Sequence, residues 1–408
     1  MTDLSLEQVL SLEDRFGCPL YIFNERKFVE NYKEFEKTLL SYYPKYKVAY
    51  SYKTNYTPYI CNTVKRLGGF AEVVSGMERY IAKRLGYDDD RIIYNGPNKG
   101  VDGIDAIHSG SIVNVDNLDE LQSICEFANK HSEGEYRIGL RANLDIGQSF
   151  ISRFGMDIQD LERAFRTVSE ISNLSITGLH CHISRCRGLD AWKKRTDLML
   201  GLADRFFKNT PPEYIDLGSG MFGNMDPSFY AQFDNVPTYL QYAKVTAKEV
   251  ADHYKGVDES DRPVLFTEPG TTLINKYVDF LGRVESIKVI KGKTFVTLNC
   301  SEHNLGETSL LKQLPVKVIN NSLKTEKVNN ADFVGYTCLE QDVFYKNYHG
   351  NIGVGDYVII GNVGGYSNVY KPPFIRPNCA MVAITEKEEY RIIKKPETYD
   401  DILSTYSF

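Results

Sequence analysis

Four short strings in this chain set reactive or ligand-holding side chains among residues that shield them from water. SYKTN (Ser51–Asn55) places Lys53 at the end of an apolar, aromatic run, KVAYSY. Desolvation disfavours the charged form of such an amine, lowers its pKa and makes it nucleophilic; an ordinary surface lysine is the plain alternative. ITGLHCH ends with His180 and His182 two residues apart, a spacing that points both rings to one face of a strand. YIDLGSG carries Gly218-Ser219-Gly220, a turn whose backbone N–H groups can close on a phosphate. VLFTEPG ends in Glu268-Pro269-Gly270, a carboxylate suited to acid–base work or to pairing with a ring nitrogen. HCHISRC adds Cys181 and Cys186 to the two histidines, but no second ligand cluster completes a tetrahedral zinc set, so no metal is expected.

These strings sit at the ends of apolar runs that read as strands. The candidates are Lys47–Tyr52, Gly69–Val74, Arg91–Tyr94, Ser111–Val115, Tyr136–Ala142, Ile176–His182, Tyr214–Leu217 and Val264–Glu268. Helix-length stretches such as Thr57–Leu67, Met77–Leu85, Leu118–Lys130 and Leu161–Ile171 lie between them. Short apolar runs separated by helices predict parallel strands buried on both faces. Eight such units in about 250 residues predict a closed (β/α)8 barrel; a doubly wound sheet is the alternative, but no GxGxxG follows the first strand. In a barrel the chemistry sits at the C-terminal strand ends, with phosphate held after strands seven and eight. A lysine, a ring-stacking histidine, a phosphate cradle and a carboxylate in that order are what pyridoxal phosphate needs.

After residue 275 the texture changes. Runs such as YVDFLGRVESIKVI, KTFVTLN and DYVIIGNVGGYSNVY are rich in β-branched and aromatic residues with glycine-containing turns, the pattern of a mostly antiparallel β domain. The reading is therefore α/β plus β, with a barrel over residues 26–275 and a β barrel or sandwich over 276–408, completed by residues 1–25 through the apolar CPLYIF.

Composition narrows the class. The 408 residues hold 48 Lys plus Arg against 54 Asp plus Glu, a net charge of −6, which gives no electrostatic reason to bind nucleic acid. No apolar run reaches the roughly 18–20 residues of a membrane span. The acidic start lacks a signal peptide's basic and apolar regions. With eight scattered cysteines and no CxxC pair, a cytoplasmic protein with reduced thiols is expected. Aromatic usage is uneven: 28 Tyr and 21 Phe, but one Trp, Trp192.

The motifs resemble the fold type III, alanine-racemase-like pyridoxal phosphate decarboxylases, above all the diaminopimelate decarboxylases. The similarity runs in order through SYKTN, AEVVSGME (Ala71–Glu78), LRAN (Leu140–Asn143), SRFGM (Ser152–Met156), GLHCHIS (Gly178–Ser184), DLGSG (Asp216–Gly220), TEPG (Thr267–Gly270), TCLEQDVF (Thr337–Phe344) and the GGYS of Gly364–Ser367. The resemblance implies that Lys53 holds the cofactor covalently, that His182 stacks on its ring and that Glu268 pairs with the ring nitrogen. It implies that Gly218, Ser219 and Gly220 bind the phosphate with Tyr366, and that Gly270 and Arg141 lie near the cofactor. It further implies a homodimer in which Cys338 serves the partner's active site and protonates Cα.

Departures from the pattern bear on the substrate. Where diaminopimelate decarboxylases carry EPGR, this chain has Thr271 after the glycine. The segment Leu305–Val318, LGETSLLKQLPVKV, lacks the family's second carboxylate-gripping Arg and its Tyr. Cys-Glu-Ser becomes Cys338-Leu339-Glu340, and Gly-Ser after the second histidine becomes Ser184-Arg185. A fixed carboxylate favours a bidentate arginine, so meso-diaminopimelate is not the expected substrate unless Arg185 or Arg187 substitutes. TCLEQD resembles carboxynorspermidine decarboxylases, and a basic, polyamine-like or natural-product intermediate is favoured, with Glu340 and Asp342 placed to hold a distal amine. A racemase or epimerase on the same scaffold is the alternative, and a non-catalytic cofactor-binding homologue a more distant one.

Overall fold

A computed structural model describes residues 1–321, 323–370 and 373–408. It divides into two compact units: Tyr32–Phe222 with Asn235–Thr272, and Met1–Asn31 with Gly223–Asp234 and Leu273–Phe408. Strand β1 (Leu20–Asn24) belongs to the second unit. The first unit is built on β2 (Tyr46–Ser51), β3 (Phe70–Val73), β4 (Ile92–Tyr94), β5 (Ile112–Val115), β6 (Tyr136–Arg141), β7 (Leu174–His180), β8 (Tyr214–Asp216) and β9 (Val264–Thr267). These eight pair in sequence order, all parallel, and β9 closes on β2 through Tyr46 opposite Leu265. All eight strand candidates of the barrel are present. The run drawn to His182 ends earlier, at His180: Cys181 N–H still donates to Asp216 O at 2.9 Å, and then the chain leaves the sheet.

Local chemistry explains why helices begin where they do. Ser75, Asn117 and Asp157 cap the helices Gly76–Arg84, Leu118–Lys130 and Ile158–Ser169, each side chain accepting a first-turn backbone N–H that no intrahelical carbonyl can reach. Inside the barrel, Ala49, Ile93, Tyr214 and Phe266 form a core with Phe70, Ile112 and Val264 against it. Tyr214 fits because Gly178 on the adjacent strand has no side chain: a Cβ there would lie 2.2 Å from the tyrosine ring.

The second unit is a nine-stranded sheet formed by β1, β10 (Val278–Ile290), β11 (Lys293–Leu298), β12 (Val316–Ile319), β13 (Glu326–Val334), β14 (Val343–Ile352), β15 (Tyr357–Ile360), β16 (Ala380–Ile384) and β17 (Tyr390–Lys394). It is mostly antiparallel, with two parallel pairings that composition did not reveal, β1 with β16 and β11 with β13. The buried residues of β1 run between β10 and β16, and the helix Leu6–Phe16 lays Val9 and Leu12 on a core with Leu20, Ile22, Leu281, Ile359 and Val382. Among the described residues no helix is long and apolar enough to cross a membrane.

The tyrosine wedge yields a stability test. Gly178→Ala should cost about 1–3 kcal/mol through overpacking, read as a lowered urea midpoint. Tyr214→Leu in the same chain should recover part of that loss, because the two substitutions share one contact.

Candidate active site

The C-terminal ends of β2, β3, β4, β6, β7 and β9 surround a cavity of about 430 Å³, lined by Lys53, Glu72, Asn95, Arg141, His180, His182 and Glu268 on its polar side. Val74, Pro97, Phe150, Phe154 and Ile183 supply its apolar wall. Lys53 stands two residues past β2, its Nζ 2.9 Å from Glu72 Oε2. That same oxygen accepts from Ser51 Oγ at 2.6 Å. Glu72 is fully buried, so an anion on β3 faces the amine directly.

Glu268, just past β9, is the second buried carboxylate. Asn95 Nδ2 donates a short hydrogen bond to its Oε1 and reaches Glu72 Oε1 at 3.3 Å, so one amide serves both acids. His180 Nε2 lies 3.2 Å from Glu268 Oε1, and His182 Nδ1 lies 3.6 Å from Oε2. Burial alone would raise the Glu268 pKa, but the adjoining His180 and His182 rings and the Lys53 charge outweigh it and hold the carboxyl well below its usual range. Asp216, at the end of β8, goes the other way. Burial and the Glu268 charge push it up, because two adjacent carboxylates cannot both ionise cheaply. Burial also lowers the pKa of His180 and pulls His182 down to about 4, helped by the Lys53 charge. The ring of His182 is therefore neutral, with Nδ1 accepting Ser219 N–H at 3.3 Å. The ligand atoms of His180, Asp216 and Glu268 lie within 4.8 Å of one another.

Behind Asn95 a relay crosses the barrel interior. Tyr214 Oη donates to Asn114 Oδ1 at 2.7 Å, and Asn114 Nδ2 donates to Asn95 Oδ1 at 2.7 Å. Arg141, at the end of β6, pairs with Asp116 at 3.3 Å and lies 4.8 Å over the Phe154 ring.

The glycine turn after β8 is tightly shaped. Gly218 has φ +65°, and a Cβ there would meet Cys181 O at 2.3 Å. Its N–H already donates to Asp216 Oδ1 at 2.9 Å, and that of Ser219 faces His182. Of the three amides expected at a phosphate, Gly220 N–H is the one without a partner among the described residues. Gly270 abuts Thr54, where a Cβ would come within 2.0 Å of Oγ1. A buried anion at one wall, an amine beside a carboxylate, a neutral imidazole between them and an open amide at a glycine turn fit the polar groups of pyridoxal phosphate.

Other expected site residues are placed elsewhere. Cys338 is exposed, Glu340 is exposed and Tyr366 is half-buried, all in the sheet unit. Asp342 is buried and occupied: its carboxylate accepts Thr337 Oγ1 at 2.6 Å and Glu302 N–H at 2.8 Å, which holds the TCLEQD loop. Arg185 is exposed with φ +68°, and Arg187 lies 5.2 Å from the Phe222 ring; neither lines the cavity. Besides Arg141, the arginine on its wall is Arg153, exposed and 4.1 Å over Phe154. Sequence reasoning passed over Glu72 and Asn95. The signal for Glu72 was a carboxylate inside an apolar strand, and for Asn95 a polar residue directly after one.

Comparison with known proteins follows the same geometry. Residues 25–275 match the family described as "Pyridoxal-dependent decarboxylase, pyridoxal binding domain", and residues 273–364 match "Pyridoxal-dependent decarboxylase, C-terminal sheet domain". A protein of Aquifex aeolicus named diaminopimelate decarboxylase is 26% identical, covering 96% of this chain and 92% of its own. One of Methanocaldococcus jannaschii with the same name is 25% identical, covering 97% and 92%. A crystal structure of diaminopimelate decarboxylase from M. jannaschii superposes with a TM-score of 0.84 at 26% identity, covering 98% of this chain and 94% of its own. A lysine decarboxylase from Selenomonas ruminantium, 19% identical, shares the fold with a TM-score of 0.78 over 95% and 97% of the two chains.

The neutral His182 gives a pH signature. Its folded pKa of about 4 lies below the ordinary 6.5, so its stabilising contribution is complete above pH 6.5 and is lost as pH falls toward 4. His182→Phe should flatten that part of the stability profile, measured by urea unfolding of cofactor-free protein across the window. An unchanged slope would show that His182 protonates normally in the folded state.

Proposed function

The chain belongs to the pyridoxal-dependent decarboxylases, carboxy-lyases that act with pyridoxal phosphate, and on that footing we propose that it removes the α-carboxyl group of an amino acid or amino-acid-derived intermediate with a basic, polyamine-like side chain. The carrying observation for the reaction is one cavity that holds the buried Glu268 carboxylate, kept well below its usual range, the Lys53 amine and the neutral His182 ring. When bound, the cofactor supplies an electron sink for the pair left at Cα as CO₂ departs. Glu268 would hold the cofactor's ring nitrogen and favour its protonated form, because a buried carboxylate beside a pyridine stabilises the pyridinium charge. Lys53 is the covalent anchor, and Glu72 orients its Nζ. His182 offers a neutral ring face, held by Ser219 N–H. Arg141, fixed by Asp116, completes the electrostatic frame around the site.

We assign the proton returned to Cα to Cys338, acting in a homodimer in the site of the partner subunit. Its exposure in the single chain suits a thiol that works across an interface. For the substrate, the supporting observations are Thr271 after the Glu268-Pro269-Gly270 string and the absence of arginine from residues 305–318, which remove two bidentate grips on a distal carboxylate. Arg153 favours a second reading. A cation on the cavity wall could hold one distal carboxylate, and the relatives named diaminopimelate decarboxylase make that diamino acid the comparator.

Two tests follow. Borohydride reduction of the yellow holoprotein should fix pyridoxal on the peptide containing Lys53, and Lys53→Ala should abolish that adduct; an adduct at the same peptide in the variant would refute the anchor. A panel of L-lysine, L-ornithine, carboxynorspermidine and meso-diaminopimelate, followed by CO₂ release, should rank meso-diaminopimelate below a basic substrate. The reverse ranking, with activity toward meso-diaminopimelate lost in Arg153→Ala, would establish the second reading. Cys338→Ala should lower kcat by about 10²-fold or more, as expected for a lost general acid, while the bound cofactor's absorbance is unchanged.

A further inference from the structure

One buried cation has no role in the site so far described. Arg195 lies on the helix Leu189–Phe206 and is completely buried. Its guanidinium holds three backbone carbonyls: Nη1 donates to Leu217 O at 3.1 Å and to Ser219 O at 2.9 Å, and Nη2 to Ile183 O at 2.9 Å. Its flat face lies 4.1 Å over the ring of Trp192, the single tryptophan, which is also completely buried. Among the described residues no carboxylate forms an ion pair with it, and its Nε has no hydrogen-bond partner. An arginine cannot shed its proton to escape burial, and a buried charge without a counter-charge is costly. The fold therefore holds a fixed positive charge that pairs with no carboxylate among the described residues and is favoured only by the more distant charge of Glu268, so that a second anion beside it would be stabilised.

The carbonyls that Arg195 grips identify the place of that anion. Ser219 O and Gly220 N belong to one peptide unit, and in a trans peptide C=O and N–H point in opposite directions. Clamping Ser219 O from behind turns Gly220 N–H away from the helix, and Gly220 N–H is the amide of the turn that has no internal partner. A charge-assisted hydrogen bond to a carbonyl also polarises the N–H of the same peptide. We propose that Arg195 is the positioning cation of the phosphate cradle: acting through the Ser219–Gly220 peptide, it orients Gly220 N–H and balances the charge of a bound phosphate monoester. This rests on the cofactor reading and extends it. Thr271 leaves the chain without the arginine that the family pattern places after Glu268-Pro269-Gly270, and Arg195 supplies a cation held directly against the turn.

The test compares ligands with and without the phosphate on cofactor-free protein. Affinities for pyridoxal phosphate, pyridoxal and inorganic phosphate are measured for the native chain, Arg195→Met, Arg195→Lys and Trp192→Phe, with thermal melts to confirm folding. In Arg195→Met the preference for pyridoxal phosphate over pyridoxal should fall by about tenfold or more, the worth of hydrogen bonds to a charged group, while pyridoxal affinity stays within about twofold. Arg195→Lys, which keeps the charge but not the fork, should fall between. Inorganic phosphate should raise the melting temperature of the native chain and not that of Arg195→Met. Equal loss of both aldehydes would mean that Arg195 only supports the fold, and an unchanged preference would refute the role outright. If Arg195→Met does not fold, Trp192→Phe decides: a reduced preference supports the clamp and an unchanged one overturns it. A native chain that binds neither aldehyde would refute the cofactor reading itself, a failure distinct from that of Arg195.

Discussion

Everything at the mouth of the barrel depends on keeping two carboxylates, Glu72 and Glu268, buried within reach of one asparagine amide. Buried charge is tolerated only where donors converge on it. Here they come from Ser51, Lys53 and Asn95, on β2, just past it and just past β4, while the two imidazoles pack beside Glu268 from the segment ending β7. The closed barrel makes this possible, since eight strand ends deliver side chains to one small volume without any of them needing a flexible loop. Closure in turn demands a filled interior, and Tyr214 provides the fill by occupying the space that Gly178 leaves open.

The division of labour between the acids follows from their neighbours. Glu268, beside His180, His182 and Lys53, is held well below the usual carboxylate range; Asp216, next to it, is pushed up by burial and by the Glu268 charge. Chemically similar residues a few ångströms apart are thus shifted in opposite directions, and the difference is set by the charges and rings around them rather than by exposure, since both are buried. The glycine turn adds a third device, in which one peptide unit is divided: the Ser219 carbonyl is held by Arg195, and the Gly220 amide has no partner among the described residues.

Much of this was legible in the residues. Eight apolar runs of strand length, spaced by helices, gave the barrel, and strand-end logic found Lys53, His182, the glycine turn and Glu268. What escaped detection has a common physical cause. Glu72, Asn114 and Arg195 act from inside elements whose apolar pattern masks them, Asn95 from just past one, and their meaning comes from partners 12 to 173 positions away, such as Asn95 with Glu268. Local sequence cannot show whether Asp342 is offered to a ligand or consumed by its own loop; the bonds from Thr337 and Glu302 settle its occupancy. Likewise Arg185 and Arg187 were the nearest cations in sequence to the histidines, but the cavity wall takes Arg153 from a different loop.

The relay from Tyr214 through Asn114 to Asn95 has a direction. Each member gives its hydrogen toward the strand ends: hydroxyl to amide oxygen, amide nitrogen to amide oxygen, amide nitrogen to carboxylate. Amides of this kind orient one another but do not pass protons along, because their nitrogens have no acceptor lone pair to spare. The barrel interior is therefore wired as an insulated dipole chain. It imposes polarity on the acids above it, yet is itself no conduit for their protons.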